Sequence, residues 1–283
     1  MPKNTANMKI GDRVVVYNDM DQPRLDGVPT YAEGIEGAGF TGFRWISAAD
    51  RVKDLPAQWY PATMKAKQVS VFNQQPPLVV FDVDSTLIQE EVIELLAAHA
   101  GKEAEVAEVT ERAMRGEIEF AESLHHRVAT LEGLPVEVLD TVAAAATIHD
   151  GARELVHAVH QAGGYVYAVS GGFTHALEPI ATQLGLDGFA ANTLEVKAGE
   201  LTGKVTGPII DRLAKATMLR RWAADHNIPL EATVAIGDGA NDLDMMALAG
   251  YAVGFCPKPI VRDQADVIIE IPTHDVLRAV LGL

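Results

Sequence analysis

The chain has 283 residues, of which 48% are hydrophobic and 22% charged, and its net charge is −16. Such a length allows one large domain or a core with a smaller unit. The negative charge, with no Lys/Arg-rich segment, argues against binding nucleic acid or an anionic membrane. No apolar run is long enough to cross a bilayer, and the single cysteine, Cys256, excludes an internal disulfide. We therefore expect a cytoplasmic protein without membrane contact, with Cys256 packed as a small apolar residue.

The first 75 residues differ in character from the rest of the chain. They contain two of the three tryptophans, Trp45 and Trp59, and run into the sequence NQQPPL. This sequence predicts a linker, because a Pro-Pro pair blocks helix formation and stiffens the chain. We expect a small α+β unit over residues 1–75, and no motif in it indicates a function.

From residue 76 to the C-terminus, strand-like and helix-like segments alternate. Strands are predicted at PLVVFDV, GYVYAVS, ATVAIGD, YAVGF and ADVIIEI, with helical patterns between most of them. This alternation predicts an α/β fold, a doubly wound parallel sheet covered on both faces. The segment DGFAANTLEVKAGELTGKVTG carries turn residues at hairpin spacing and predicts a small β-excursion.

An insertion over roughly residues 94–146 separates the first and second predicted strands. Its pattern is helical throughout, and it is interrupted by Gly116, Gly133 and Pro135. It is too long for one crossover connection and too small for a domain of ordinary size. We interpret it as a helical cap inserted after the first strand of a domain that spans residues 76–283.

Two aspartates, Asp82 and Asp84, stand at the end of the first predicted strand, in FDVDST. Side chains two residues apart on a strand point to the same side, so these carboxylates would repel each other and lose hydration on burial. A divalent cation removes this conflict, and Mg²⁺ favours one or two carboxylates together with water and a phosphate. The alternative is a strand end with two solvated acids.

The second strand leads into AVSGGFTH, in which Ser170 and Gly171 precede a predicted helix. A hydroxyl, together with free backbone amides at a helix N-terminus, is suited to bind phosphate. A tight turn without function explains the same residues.

The third strand leads into AIGDGANDLDMM, where Asp238 ends the strand and Asn241 and Asp242 follow. A helix cap accounts for Asp242 but not for Asp238, which favours a functional role for the segment. Lys215 lies on the helix before this strand, where a lone lysine is usually solvated.

In this order the segments resemble the four motifs of the haloacid dehalogenase-like phosphatases. The resemblance implies that Asp82 is the nucleophile that forms an aspartyl phosphate, and that Asp84 is the general acid and then the general base. It also implies that Mg²⁺ is held by Asp82, Asp238 and the main-chain carbonyl of Asp84, while Ser170 and Lys215 bind phosphate oxygens.

The cap sequence is similar to that of the phosphoserine phosphatase branch of this family, in Glu91 and in MRGEIEFAESLHHRV. The resemblance implies that Glu91 binds the substrate ammonium, that Arg127 binds its carboxylate, and that Met114 and Phe120 line the apolar side. It adds the amide of Gly171 and the side chain of Asn241 on the phosphate side. Taken singly, these residues would be a helix-terminal acid, a surface arginine and core side chains.

The function expected from this resemblance is hydrolysis of L-phosphoserine to L-serine and phosphate, the last step of serine biosynthesis. Two alternatives share the motifs: a phosphotransferase that passes the phosphoryl group to another hydroxyl such as homoserine, and a non-catalytic regulator that binds phosphoserine. A homodimer is one candidate assembly.

Overall fold

The computed structural model describes residues 11–19, 25–47, 55–114 and 117–283, and of Met114 only the backbone. An antiparallel sheet of four strands comes first and has the order β2-β3-β1-β4. Its strands are β1 (Asp12–Asn18), β2 (Glu33–Gly37), β3 (Phe40–Ser47) and β4 (Tyr60–Met64), and helix α1 (Ala66–Phe72) follows.

The second sheet has seven strands in the order β11-β10-β9-β5-β6-β7-β8, and every neighbouring pair is parallel except β7 and β8. Its strands are β5 (Leu78–Phe81), β6 (Tyr165–Phe173), β7 (Gly188–Lys197), β8 (Glu200–Thr206), β9 (Thr233–Gly237), β10 (Tyr251–Phe255) and β11 (Val267–Ile269). This architecture confirms the predicted α/β fold with a largely parallel sheet.

Four helices lie between β5 and the helix that precedes β6, in the region of the predicted cap. They are α2 (Val92–Ala100), α3 (Glu103–Met114), α4 (Phe120–Ala129) and α5 (Val138–Ala145). The remaining helices are α6 (Ala152–Gln161), α7 (Thr174–Leu184), α8 (Arg212–Asp225), α9 (Leu243–Leu248), α10 (Pro259–Arg262) and α11 (Asp275–Leu281). None of the helices in the described ranges combines the length and the apolar character that a membrane span requires.

Strand β5 shows why this sheet is covered on both faces. All four of its side chains are buried. Val79 and Phe81 pack into one hydrophobic cluster, and Leu78 and Val80 pack into another on the opposite face. Successive side chains of a strand point to opposite sides, so an uninterrupted apolar run requires helices above and below.

The predicted β-excursion is part of the main sheet rather than a separate feature. Strand β7 pairs in parallel with β6, and β8 then forms the antiparallel edge. The turn of this hairpin also meets the cap, because the amides of Gly133 and Val136 donate to the carbonyls of Leu201 and Gly199. The hairpin therefore joins the sheet to the cap.

Two predicted strand ends differ from the structure. Strand β5 ends at Phe81, so Asp82 and Asp84 lie in a loop and not on the strand. Strand β6 does not end at Ser170 but continues to Phe173, with an irregular register against β7 after Val169. Such a bulge re-aims side chains at the end of a strand, which apolar patterning alone does not reveal.

The N-terminal sheet packs against the edge of the main sheet. Val15 and Tyr17 of β1 belong to the same hydrophobic cluster as the core of the α/β domain, whereas Val14 and Val16 pack on the outer face with Trp45. The boundary predicted near residue 75 falls in the connection between α1 and β5, and apolar packing crosses it.

The contact between the two sheets covers the edge strand β11. The Tyr17 hydroxyl donates to the Ile268 carbonyl (3.2 Å) and accepts from the Glu270 amide (3.1 Å). The Arg13 guanidinium is buried against the carbonyl of Val280, at 2.9 Å, near the end of α11. A free sheet edge is a site for aggregation, and a covering element of this kind protects it.

Removal of the Tyr17 hydroxyl should destabilise the fold because it leaves the Glu270 amide and the Ile268 carbonyl without that partner. We expect Tyr17→Phe to lower the free energy of unfolding by about 1–3 kcal/mol in urea titrations. Tyr31→Phe, at a residue that is 70% exposed, is the control and should change it by less than about 0.5 kcal/mol. Equal effects of the two substitutions would contradict this role of Tyr17.

Candidate active site

The loop after β5 winds into a tight turn that separates the two aspartates. The amides of Thr86, Leu87 and Ile88 all donate to the carbonyl of Val83. Ser85 adopts a left-handed backbone with φ of 57°, which is uncommon for a residue other than glycine and typical of strained functional loops. The turn, rather than strand alternation, sets the direction of each carboxylate.

Three aspartates from two loops converge at the carboxyl edge of the sheet. One carboxylate oxygen each of Asp82, Asp238 and Asp242 lies within 4.8 Å of the others, and all three residues are buried. Lys215 of α8, also buried, donates to Oδ1 of Asp82 (2.6 Å) and to Oδ1 of Asp242 (2.8 Å). Strands β5 and β9 are neighbours, so their following loops meet at the place where open α/β sheets bind ligands.

Burial and mutual repulsion dominate the electrostatics of this cluster. Burial raises the pKa of Asp82 well above its ordinary value, the Asp242 carboxylate adds to this rise, and Lys215 opposes it. Burial likewise raises the pKa of Asp238. For Lys215 burial alone would lower the pKa, but Asp242 and Asp82 together raise it, so this ammonium stays charged. One lysine therefore does not neutralise the acids.

The donor set fits a hard divalent cation. One oxygen of each of three carboxylates lies within 4.8 Å of the others, and a dication among them would offset both the burial and the repulsion that raise the pKa of Asp82. Asp82, Asp84 and Asp238 are the predicted metal ligands, Asp84 through its main-chain carbonyl. The structure adds Asp242, whose carboxylate caps the Gly239 amide (3.1 Å) and also faces the cluster. Helix capping already accounted for Asp242 in the sequence, so no role at the metal site was predicted for it.

The Asp84 side chain joins the start of α2 to strand β6. Its Oδ1 accepts the amide of Val92, the first residue of α2, at 2.8 Å, and its Oδ2 accepts the hydroxyl of Ser170 at 2.9 Å. The same hydroxyl accepts the Gly172 amide (2.7 Å). Asp84 thus connects the start of α2 to the end of β6, where Ser170 is predicted to bind phosphate.

Gly171 lies in a narrow space under the cap. A Cβ atom at this position would stand 3.0 Å from the ring of Phe120, so a side chain would push against the cap. The Gly171 carbonyl accepts the side-chain amide of buried Asn192 (2.8 Å), whose Oδ1 accepts the Ile210 amide. Sequence analysis missed Asn192, because an asparagine inside a hairpin strand gives no signal of this support.

The predicted cap residues Glu91 and Arg127 bring opposite charges to the site. Glu91 accepts the Ser85 hydroxyl (2.9 Å), and burial together with the Asp84 carboxylate raises the pKa of Glu91 to about 7. Burial lowers the pKa of Arg127, and the nearby carboxylates of Glu91 and Asp84 oppose that shift. Both side chains are partly buried and share one electrostatic environment with Asp84.

Met114 and Asn241 are the two remaining residues predicted to line the site. The backbone of Met114 ends α3, but its side chain lies outside the described residues, so its predicted place in the pocket stays a prediction. Asn241 is partly buried beside Gly239 in the loop that carries Asp238.

Sequence analysis also missed two residues that contact the loops of the site. Lys258 follows β10 and contacts Oδ2 of Asp238 at 2.9 Å. His274 is buried and donates from Nε2 to the carbonyl of Thr86 (2.9 Å), while its ring stacks on Phe255. Lys258 could have been found from its place after a strand of the parallel sheet. Cys256, in the same loop, is exposed, so the expectation that it is packed was wrong.

Comparison with known proteins gives matches that cover this region. The family model of haloacid dehalogenase-like hydrolases matches residues 79–247. A phosphoserine phosphatase from Streptomyces coelicolor is 55% identical over 206 residues, which cover 73% of this chain and 50% of the relative. One from Streptococcus thermophilus is 51% identical over 195 residues, which cover 69% of this chain and 91% of the relative.

The chain is also similar to solved structures of phosphoserine phosphatases. A phospho-aspartyl intermediate analogue of phosphoserine phosphatase is 42% identical, with a TM-score of 0.68, and the match covers 74% of this chain and 99% of that one. The chain spans about half the length of the Streptomyces relative.

Burial of His274 should make the fold sensitive to acid. Burial lowers the pKa of His274 from 6.5 to about 3, so between these values the unfolded chain binds a proton that the folded chain does not. Its contribution to stability is complete above about pH 6.5 and is lost as the pH falls toward 3. At pH 5 we expect the loss to be about 2 kcal/mol.

The measurement is the free energy of unfolding of His274→Gln and of the unsubstituted chain at pH 8 and pH 5. The gap between the two proteins should narrow by about 2 kcal/mol at pH 5. His125→Gln, at an exposed position on the cap, is the control. An unchanged gap for His274→Gln would show that this histidine is not the buried neutral group described.

Proposed function

Because the chain belongs to the haloacid dehalogenase-like hydrolase family, we propose that it hydrolyses L-phosphoserine to L-serine and phosphate. The observation that carries the proposal is the charge arrangement around the loop after β5. An acid cluster with a buried lysine lies on the sheet side, and Glu91 and Arg127 face it from the cap side. L-phosphoserine carries an ammonium to pair with Glu91, a carboxylate to pair with Arg127, and a phosphate that Lys215 and a cation held by the acid cluster would bind. The similarity to phosphoserine phosphatases supports this substrate.

The two ends of the substrate would be held by different charges. Arg127 offers a planar fork of donors suited to the substrate carboxylate. Glu91, whose pKa burial raises to about 7, gains a partner when the substrate ammonium arrives and is then stabilised in its charged form. Phe120, beside Gly171, would close the apolar side.

In the first chemical step, a carboxylate oxygen of Asp82 attacks phosphorus, and the bond from phosphorus to the serine oxygen breaks. The Val83 amide (2.7 Å) and Lys215 both bind Oδ1 of Asp82, which fixes the orientation of this carboxylate. Asp84 gives its proton to the leaving serine oxygen. The product of this step is an aspartyl phosphate and free serine.

In the second step, water attacks the phosphorus of the aspartyl phosphate, and the bond to the Asp82 oxygen breaks. Asp84 takes the proton from this water, which restores its acid form for the next cycle. The Ser170 hydroxyl, 2.9 Å from Asp84, orients that carboxylate and would also bind a phosphate oxygen. The amide of Gly171, Lys215 and Asn241 complete the set of donors proposed for the phosphate.

Mg²⁺ is the cation that we propose for this site, held by Asp82, Asp238 and the Asp84 carbonyl, with Asp242 close by. When bound, it would neutralise charge on the phosphate oxygens. The carboxylate donors support a hard cation of this type. We place the reaction in the cytoplasm, as the last step of serine biosynthesis. A homodimer is the assembly to test by light scattering.

Loss of the metal or of the nucleophile should abolish turnover. We expect EDTA to stop phosphate release from L-phosphoserine and excess Mg²⁺ to restore it. Asp82→Asn should lower kcat by about 10⁴-fold or more, since it replaces the attacking carboxylate by a weakly nucleophilic amide. The measurement is phosphate release with and without added homoserine.

The same assay separates the alternative functions. Phosphohomoserine among the products would show a phosphotransferase, and no turnover by the unsubstituted chain with Mg²⁺ would show a binding protein.

Arg127 should determine which ester is accepted. We expect Arg127→Ala to raise KM for L-phosphoserine by roughly 10- to 100-fold, because one charge-assisted pair with the carboxylate is lost. KM for an aryl phosphate, which has no carboxylate, should change less than about threefold. Arg221→Ala, on the exposed face of α8, is the control. Equal changes for both substrates would remove Arg127 from recognition.

A further inference from the structure

The loop after β10 binds Asp238 in two ways. The main-chain amide of Lys258 donates to the Asp238 carbonyl at 2.9 Å, and its ammonium contacts Oδ2 of the same residue at 2.9 Å. Strands β5, β9 and β10 are neighbours in the sheet, and Lys258 lies in the loop that follows β10 at its carboxyl edge. One residue therefore restrains both the backbone and the side chain of Asp238.

The two lysines approach the acid cluster from opposite environments. The Lys215 side chain is only 1% exposed and reaches Asp82 and Asp242 from the core. The Lys258 side chain is 47% exposed and reaches the 8% exposed Asp238 side chain from the solvent side. The buried lysine and the half-exposed lysine bind different members of the cluster, so Lys258 is not a second copy of Lys215.

A carboxylate that binds a metal is held best when its second oxygen has a partner. With Oδ2 of Asp238 on the Lys258 ammonium, Oδ1 is left for a cation, and the side chain loses the freedom to rotate. Removal of a group that hydrogen-bonds to a metal ligand typically lowers metal affinity by 10- to 100-fold. A half-exposed ammonium also repels a dication, but solvent and salt screen that repulsion.

We propose that Lys258 is a positioning residue of the metal site, which holds Oδ2 of Asp238 and so raises the affinity of the acid cluster for a divalent cation. The proposal rests on the metal-dependent function proposed above and assigns a role to a residue outside the matched motifs. The net effect of Lys258 on cation affinity is favourable, because the orientation of Asp238 outweighs the repulsion between the ammonium and the cation.

The test is titration of the purified chain with Mn²⁺ alone, followed by calorimetry or by the spin-resonance signal of free Mn²⁺. We expect Lys258→Met to weaken Mn²⁺ binding by about 10-fold or more, and Lys258→Arg, which keeps charge and donors, to stay within about threefold of the unsubstituted chain. Lys102→Met, at an exposed lysine of the cap region, is the matched control. Asp238→Asn should abolish most of the binding.

Three results would overturn the proposal. Lys258→Met with equal or tighter Mn²⁺ binding would show that repulsion dominates, and Lys258→Arg as weak as Lys258→Met would show that charge and donors are not what counts. Lys258→Leu, which also lacks a donor and a charge, gives a second variant if Lys258→Met unfolds, and its equal or tighter binding would count in the same way. Phosphate release from L-phosphoserine by the unsubstituted chain tests the proposed function separately, because the Mn²⁺ titration contains no substrate.

Discussion

The buried ion pairs of Lys215 are the interaction on which the site depends. A lysine that is 1% exposed can stay charged only with partners, and here it contacts Asp82 and Asp242 within 2.8 Å. Removing one member of such a group leaves an uncompensated buried charge, which is far more costly than the pair itself is stabilising. The excess of acids over lysines leaves a negative site at the edge of a strongly apolar sheet. That imbalance favours a divalent cation, and such a cation would in turn attract a phosphoryl group.

Other parts of the fold surround or support the acid cluster. Asp84 ties the first turn of the cap to Ser170, so the proposed acid–base group is shared between the cap and the sheet. The hairpin of β7 and β8 contacts the cap from the other side. The N-terminal sheet contributes by covering β11. Asp275, at the start of α11, accepts the Ala38 amide of that sheet, and its neighbour His274 donates to the loop after β5.

Much of this could be predicted from the sequence because the apolar runs are strong local signals. The strands, the helical insertion and the polar residues after β5 and β9 all follow from patterning, and the resemblance supplied the roles. What could not be predicted depends on geometry between distant segments. Asp242 was interpreted as a helix cap because capping involves residues close in sequence. Its contact with Lys215 joins two segments that are distant in sequence, so the local pattern does not reveal it. Asn192 and His274 contact segments that are remote in sequence, and a polar residue in a strand or at a helix end carries no sign of its partner. The bulge in β6 was hidden for the same reason.

The central claim is that the acid cluster holds a cation beside an attacking Asp82. The most direct measurement is a crystal structure of the chain grown with Mg²⁺ and beryllium fluoride, which imitates an aspartyl phosphate. The account predicts beryllium fluoride bonded to a carboxylate oxygen of Asp82, with Mg²⁺ at about 2.0–2.1 Å from oxygens of Asp82 and Asp238. Density for either group elsewhere, with Asp82 unmodified, would contradict it.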